Sequence, residues 1–133
     1  ALTAAWNARR AIRAADCARL PGWRGCQAKM LLGIPCAAPV QLNASMGAAA
    51  VRLVRRLAFV GLTERFDDAV CLFHARFGGR PVPAQFLNVR PRVPRNGSES
   101  ASRDEAALVA AVDPWEAAVY AAARERFEAD LAL

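Results

Sequence analysis

The sequence predicts an α/β protein, and three observations carry that expectation. Ala58 to Leu62 (AFVGL) is a short run of apolar and small residues, of strand length and bounded by polar residues. Directly after it, Thr63 offers an N-cap hydroxyl and Glu64 places an acid at the positive end of a helix. Phe66, Val70, Phe73 and Phe77 then recur at helical spacing until Gly78-Gly79 ends the pattern. Strand, tight turn and amphipathic helix together form half of a βαβ unit. The remaining elements read as helices. A lone strand needs neighbours to satisfy its backbone groups, so its sheet partners are expected from outside this chain, which reads as a fragment.

In chain order, residues 3 to 19 read as an arginine-bearing helix ended by Pro21-Gly22. Trp23 to Leu32 reads as a shorter helix stopped by Gly33-Ile34-Pro35, and Cys36 to Asn43 as a loop without period. Ser45 to Arg56 reads as a helix with Ala49, Leu53 and Leu57 on its apolar face and Arg52, Arg55 and Arg56 on its wet face. From Arg80 to Ser102 the prolines and arginines predict an extended surface loop, because proline at this density opposes both helix and central strand. Ser102 with Glu105 gives a capping box for a short helix over residues 103 to 112. Asp113-Pro114-Trp115-Glu116 gives a second start signal, with Asp113 as N-cap and Pro114 at the first helical position. The closing helix is expected to run to about Asp130 and to pack through Trp115, Val119, Tyr120, Ala123 and Phe127.

The 133 residues suffice for one domain with one modest core, and 55% hydrophobic content excludes a disordered chain. No apolar run approaches the roughly 18 residues that cross a bilayer. The formal net charge is +6, carried almost wholly by arginine, with Lys29 the only lysine. Arginine favours bidentate contact with phosphate, sulfate and carboxylate, although an Ala- and Arg-rich sequence is equally what a GC-rich genome writes. The four cysteines (Cys17, Cys26, Cys36, Cys71) contain no C-x-x-C pair, and the spacing implies no metal. Cys26 and Cys36 flank the Gly-Ile-Pro turn and would close a disulfide loop in an oxidising compartment, while Cys71 reads as a small core residue.

Three separated segments carry a family resemblance: CQAKMLLG (Cys26 to Gly33), VGLTERF with the helix after it, and DPWEAAVY (Asp113 to Tyr120) continuing to Phe127. In this order they resemble the C-terminal part of carbohydrate-type sulfotransferases, which use 3′-phosphoadenosine-5′-phosphosulfate as donor. The resemblance spans about Gly22 to the end. It implies part of a P-loop-like α/β fold, a sulfuryl transfer to a hydroxyl or amine of a glycan, and a Golgi-lumenal setting for a parent with a possible single-pass membrane anchor. The donor is a co-substrate, and no metal is implied. It implies no catalytic residue in this chain, because G-x-x-x-x-G-K-[ST] and the related donor loops are absent. What it leaves is a wall of the donor or acceptor site: Asn88, Arg90, Arg92 and Arg95, in the loop where such enzymes close over the nucleotide.

His74, the only histidine, invites a general-base role, yet its place beside the apolar stripe suits a structural histidine. Glu64 suits either a ligand at a strand end or the helix dipole, and Arg65 either a bond to Asp68 or an anion. Trp23, Trp115, Tyr120 and Phe127 read as core rather than as stacking platforms. The competing function class is a basic helical module for nucleic acid or other polyanions, suggested by a pI near 10.1.

Overall fold

The computed structural model describes residue 16, residues 19, 20 and 22–87, and residues 107–133. The described residues form a helical assembly: α1 (Cys26–Leu31), α2 (Ala44–Arg56), α3 (Phe66–Phe77) and α4 (Pro114–Leu131), with 3-10 turns at Thr63–Arg65 and Pro83–Phe86. Residues 107–112 are also helical and lead into α4. The expected helix over residues 3 to 19, the capping box at Ser102, and most of the Arg80 to Ser102 loop lie outside the described residues.

The α/β expectation is overturned, since the described residues contain no strand. The chain is extended at Leu62 (φ −108°, ψ 131°), as the apolar run dictates. No described segment lies alongside to form a ladder, and the side chains turn to helices instead. Val60 is buried among Ala28, Ala50, Val54, Val119 and Ala122, and Leu62 among Ala69 and Phe127. The run is therefore a connector between α2 and α3, and the P-loop-like sheet has no counterpart among the described residues.

α2 starts where Asn43 accepts a hydrogen bond from the Met46 amide (2.9 Å), one residue before the expected start. Its buried stripe is Gly47, Ala50 and Val54, not Ala49, Leu53 and Leu57; Leu53 and Leu57 remain exposed. The physical reason is close approach. Gly47 has no side chain, and a Cβ there would overlap the Trp115 ring. Small residues, rather than the largest ones, thus set the face that meets α4. On α4, Val119, Ala122 and Phe127 are buried, Trp115 and Ala123 are half-buried, and Tyr120 is exposed, against the expectation that Tyr120 packs inside.

α3 departs furthest from its amphipathic reading. Only Ala69 is buried, whereas Phe66, Phe73 and Phe77 are about half exposed. Phe59, Phe73 and Phe77 stack on one another instead, with the Phe59 and Phe73 centroids 5.4 Å apart at right angles. Thr63 does not cap the helix; its hydroxyl turns to Glu64, and the 3-10 turn intervenes. The stop signal holds, with Gly78 and Gly79 both at positive φ. Cys71 is exposed rather than in the core, and is a free cysteine.

Candidate functional site

The three segments singled out in the sequence meet around α4. α1 is a six-residue helix whose N-cap, Gly25, has no side chain to offer its first amides. The Cys26 amide donates to the nearby Trp23 carbonyl at 3.1 Å, while the Gly25 and Ala28 amides are satisfied from far along the chain. Asp113 Oδ2 accepts from the Gly25 amide at 2.6 Å, and Glu116 Oε1 accepts from the Ala28 amide at 3.0 Å. Asp113 meanwhile caps its own helix, its Oδ1 accepting from the Glu116 amide at 3.2 Å, and its carboxylate is buried. One DPWE segment thus caps two helices. Burial pushes the Glu116 carboxyl above its usual range, the Ala28 amide opposes that, and the neighbouring Asp113 charge adds to it.

Next to this pair, Cys26 and Cys36 are joined by a disulfide, the bond that their flanking of the turn allows. It ties the start of α1 to the loop that follows. Lys29, almost wholly buried, donates from Nζ to the Ala38 carbonyl (3.1 Å) and the Cys36 carbonyl (3.4 Å). A lysine this deep must have its polar head satisfied, and here the loop backbone does so. Bridge and lysine hold residues 36–38 against α1 from two sides.

The VGLTERF segment joins the same helix further along. The Tyr120 hydroxyl donates to Glu64, which lowers the Glu64 carboxyl and raises the Tyr120 phenol. Arg65 settles on acids, pairing with Asp68 at 2.6 Å and Glu128 at 2.9 Å, and its guanidinium lies 5.6 Å from the centre of the Phe127 ring. Asp68 is the main reason that its pKa is raised. Glu64 is an acceptor for Tyr120 rather than a free acid at a strand end. His74 is half-buried, with Nδ1 3.3 Å from the Gly78 carbonyl and Nε2 3.1 Å from Gln85 Oε1, so its role is to fasten the turn after α3.

Asn88, Arg90, Arg92 and Arg95, the expected donor-binding residues, lie outside the described residues. Among the described residues, no cluster of His, Cys, Asp and Glu is suited to a metal ion. No described helix is long and apolar enough to cross a membrane. An open apolar groove of about 700 Å³ runs beside the connector, lined by Met30, Leu31, Leu57, Phe59, Val60 and Val119 among others.

Sequence reasoning recognised the start signal at Asp113 but missed its second use on α1. The available signal was negative: Gly25 precedes Cys26 in WRGCQ with no Ser, Thr, Asp or Asn at the helix start. Lys29 carried no signal, since a single lysine in a helix reads as solvated.

No protein-family model, curated protein or solved structure matches this chain. What the fold and its junction define is therefore a class by architecture: a disulfide-braced helical module in which one helix N-terminus caps another.

Proposed function

We propose that this chain is a helical module of a sulfotransferase that uses 3′-phosphoadenosine-5′-phosphosulfate and acts on a hydroxyl or amine, with a glycan as acceptor. The observation that carries the reading is that the three segments that resemble the family are the ones the structure ties together. CQAKMLLG is joined to DPWE through the Ala28 amide and Glu116, with Asp113 holding the adjacent Gly25 amide, and VGLTERF is joined to the same helix through Tyr120 and Glu128. The module's part is to support the site and supply a basic wall from Asn88, Arg90, Arg92 and Arg95; the catalytic groups belong to the rest of the enzyme. Sulfuryl transfer asks for positioning and for positive charge around the sulfate, which such a wall would provide. The Cys26–Cys36 bridge supports a secretory or Golgi-lumenal setting.

The alternative, a polyanion-binding module, draws its support from the net charge of +6. Several described arginines are already engaged: Arg55 with Glu125, Arg65 with Asp68 and Glu128, and Arg76 and Arg126 with Asp130. The acids interleaved with these arginines lower the local positive charge, which weakens the case for a broad basic face on the helices.

Calorimetric titration with adenosine 3′,5′-bisphosphate separates the two. The sulfotransferase reading expects saturable binding that is lost when Arg90, Arg92 and Arg95 are changed together to Gln. Failure to bind the nucleotide, or equal binding to DNA with a steep loss in salt, would reject it.

A further inference from the structure

Beside the braced loop lies a second cavity, of about 310 Å³, lined by Arg19, Arg24, Pro39, Val40, Gln41, Leu42, Pro114 and Trp115. We propose that it binds a small organic anion, in which a phosphate, sulfate or carboxylate group meets Arg19 and Arg24 and a flat apolar body lies against Trp115. This inference rests on the cavity alone and does not depend on the sulfotransferase reading.

Each wall is fixed by something independent of a ligand. The two arginines flank one turn, in which the Trp23 and Arg24 amides both donate to the Leu20 carbonyl, at 2.9 and 3.1 Å. That turn brings to the cavity lining two arginines, whose guanidinium groups each carry a planar fork of donors. The opposite wall, Pro39 to Leu42, follows directly on the loop pinned by the disulfide and by Lys29. Two prolines in the lining, Pro39 and Pro114, restrict the backbone further. The indole of Trp115 is half-buried and seated against Gly47, so the flat surface it offers is held in place.

Charge at the site favours an anion. Among the described residues, Arg24 makes no ion pair and Arg19 makes an exposed pair with Asp16 at 3.3 Å. Such a surface pair contributes little and yields to a better acceptor. The acids at the start of α4 are engaged by backbone amides, Asp113 by that of Gly25 and Glu116 by that of Ala28. The start of α4 at Pro114 and Trp115 is already capped by Asp113, so the positive charge at the cavity comes from the two arginines. The volume and the mix of an apolar wall with a few convergent polar groups match ligand sites of small molecules.

The test uses 2-naphthyl phosphate and 2-naphthoate as probes, with 2-naphthol as the uncharged control. Titration is followed by calorimetry and by the Trp115 indole N–H resonance. Both anions are expected to bind and shift that resonance, with 2-naphthol weaker by at least about tenfold, the scale of one charge-assisted hydrogen bond. Arg24→Gln and Arg19→Gln should each weaken binding to a similar degree, whereas Arg52→Gln, on the exposed side of α2, should not. Absence of binding at millimolar probe would overturn the proposal. So would 2-naphthol binding equally well, or Arg52→Gln weakening the anions as much as Arg24→Gln. Loss of the nucleotide binding described above, with these probes still bound, would reject only the sulfotransferase reading.

Discussion

Around α1, α2 and α4, small side chains let helices approach closely, and polar groups are satisfied across long stretches of chain. Around α3, by contrast, three phenylalanines stay half in water, and the links to α4 are a small apolar cluster around Ala69 and Phe127 and a few ion pairs at the surface or its edge. The two regions differ in what a partner offers: α1 and α2 face α4 through Ala28, Ala50 and Gly47, which leave room for Val119, Ala122 and Trp115. α3 presents rings too large to bury against the single Ala69 and Phe127 contact region. The comparison teaches that helix contact here is governed by small residues and buried caps, not by the most hydrophobic face. Surface ion pairs contribute little, so the α1–α2–α4 junction is expected to be the stable part and α3 the part that opens first.

The largest effect expected is that of Asp113→Ala. It leaves the buried Gly25 amide without a partner and uncaps α4 at the same time, a loss of about 3 to 4 kcal/mol. Chemical denaturation would measure it, and a cost below that of an ordinary surface cap would erase the distinction between the two regions. Replacing both Cys26 and Cys36 by Ser comes next. Their separation of 10 residues sets a loop-closure contribution of about 3 kcal/mol, and the denaturation midpoint should fall accordingly. Gly47→Ala follows. Its gain in helix propensity, about 1 kcal/mol, is outweighed by overlap with the Trp115 ring, for a net loss of about 1 to 2 kcal/mol. Stabilisation by this substitution would mean that α2 and α4 are not in close approach.

The smallest effects are those of pH, and they have opposite sign in the two regions. Glu116 is raised in the folded state, so the stability it confers is complete below the ordinary carboxylate value of 4.5 and is lost as pH rises through its folded value. Glu64 is lowered, so its contribution is present above 4.5 and is lost as pH falls through its folded value. Melting temperature followed across the acid range should show Glu116→Gln flattening the decline above 4.5, and Glu64→Gln flattening the one below it. The Gln at 116 keeps an oxygen for the Ala28 amide, which separates the charge from the hydrogen bond.

What could be read from the sequence was local. Asp113 with Pro114, the glycine stop at Gly78-Gly79, and the turn that places Cys26 near Cys36 are signals that act within a few residues, and all three appear in the structure. The faces of α2 and α3 were misread because periodicity ranks residues by hydrophobicity, whereas burial depended on which neighbour had room. Ala58 to Leu62 has the length and apolar character of a buried strand, yet strands are made by partners, and among the described residues none is present. The anion cavity was illegible for the same reason: Arg19, Arg24 and Trp115 are brought together only by the fold. The expected donor-binding residues, Asn88, Arg90, Arg92 and Arg95, lie outside the described residues, so solution binding is what bears on them.

The measurement that tests the account most directly is hydrogen exchange at the Gly25 and Ala28 amides. At the start of a short helix such amides ordinarily face water and exchange fast. Carboxylates from α4 hold them here, so both are predicted to be protected to the level of the Val119 and Ala122 amides and to exchange only when the whole unit unfolds. Exchange at the rate of open chain, with the α4 interior still protected, would contradict the claim that one helix start caps the other.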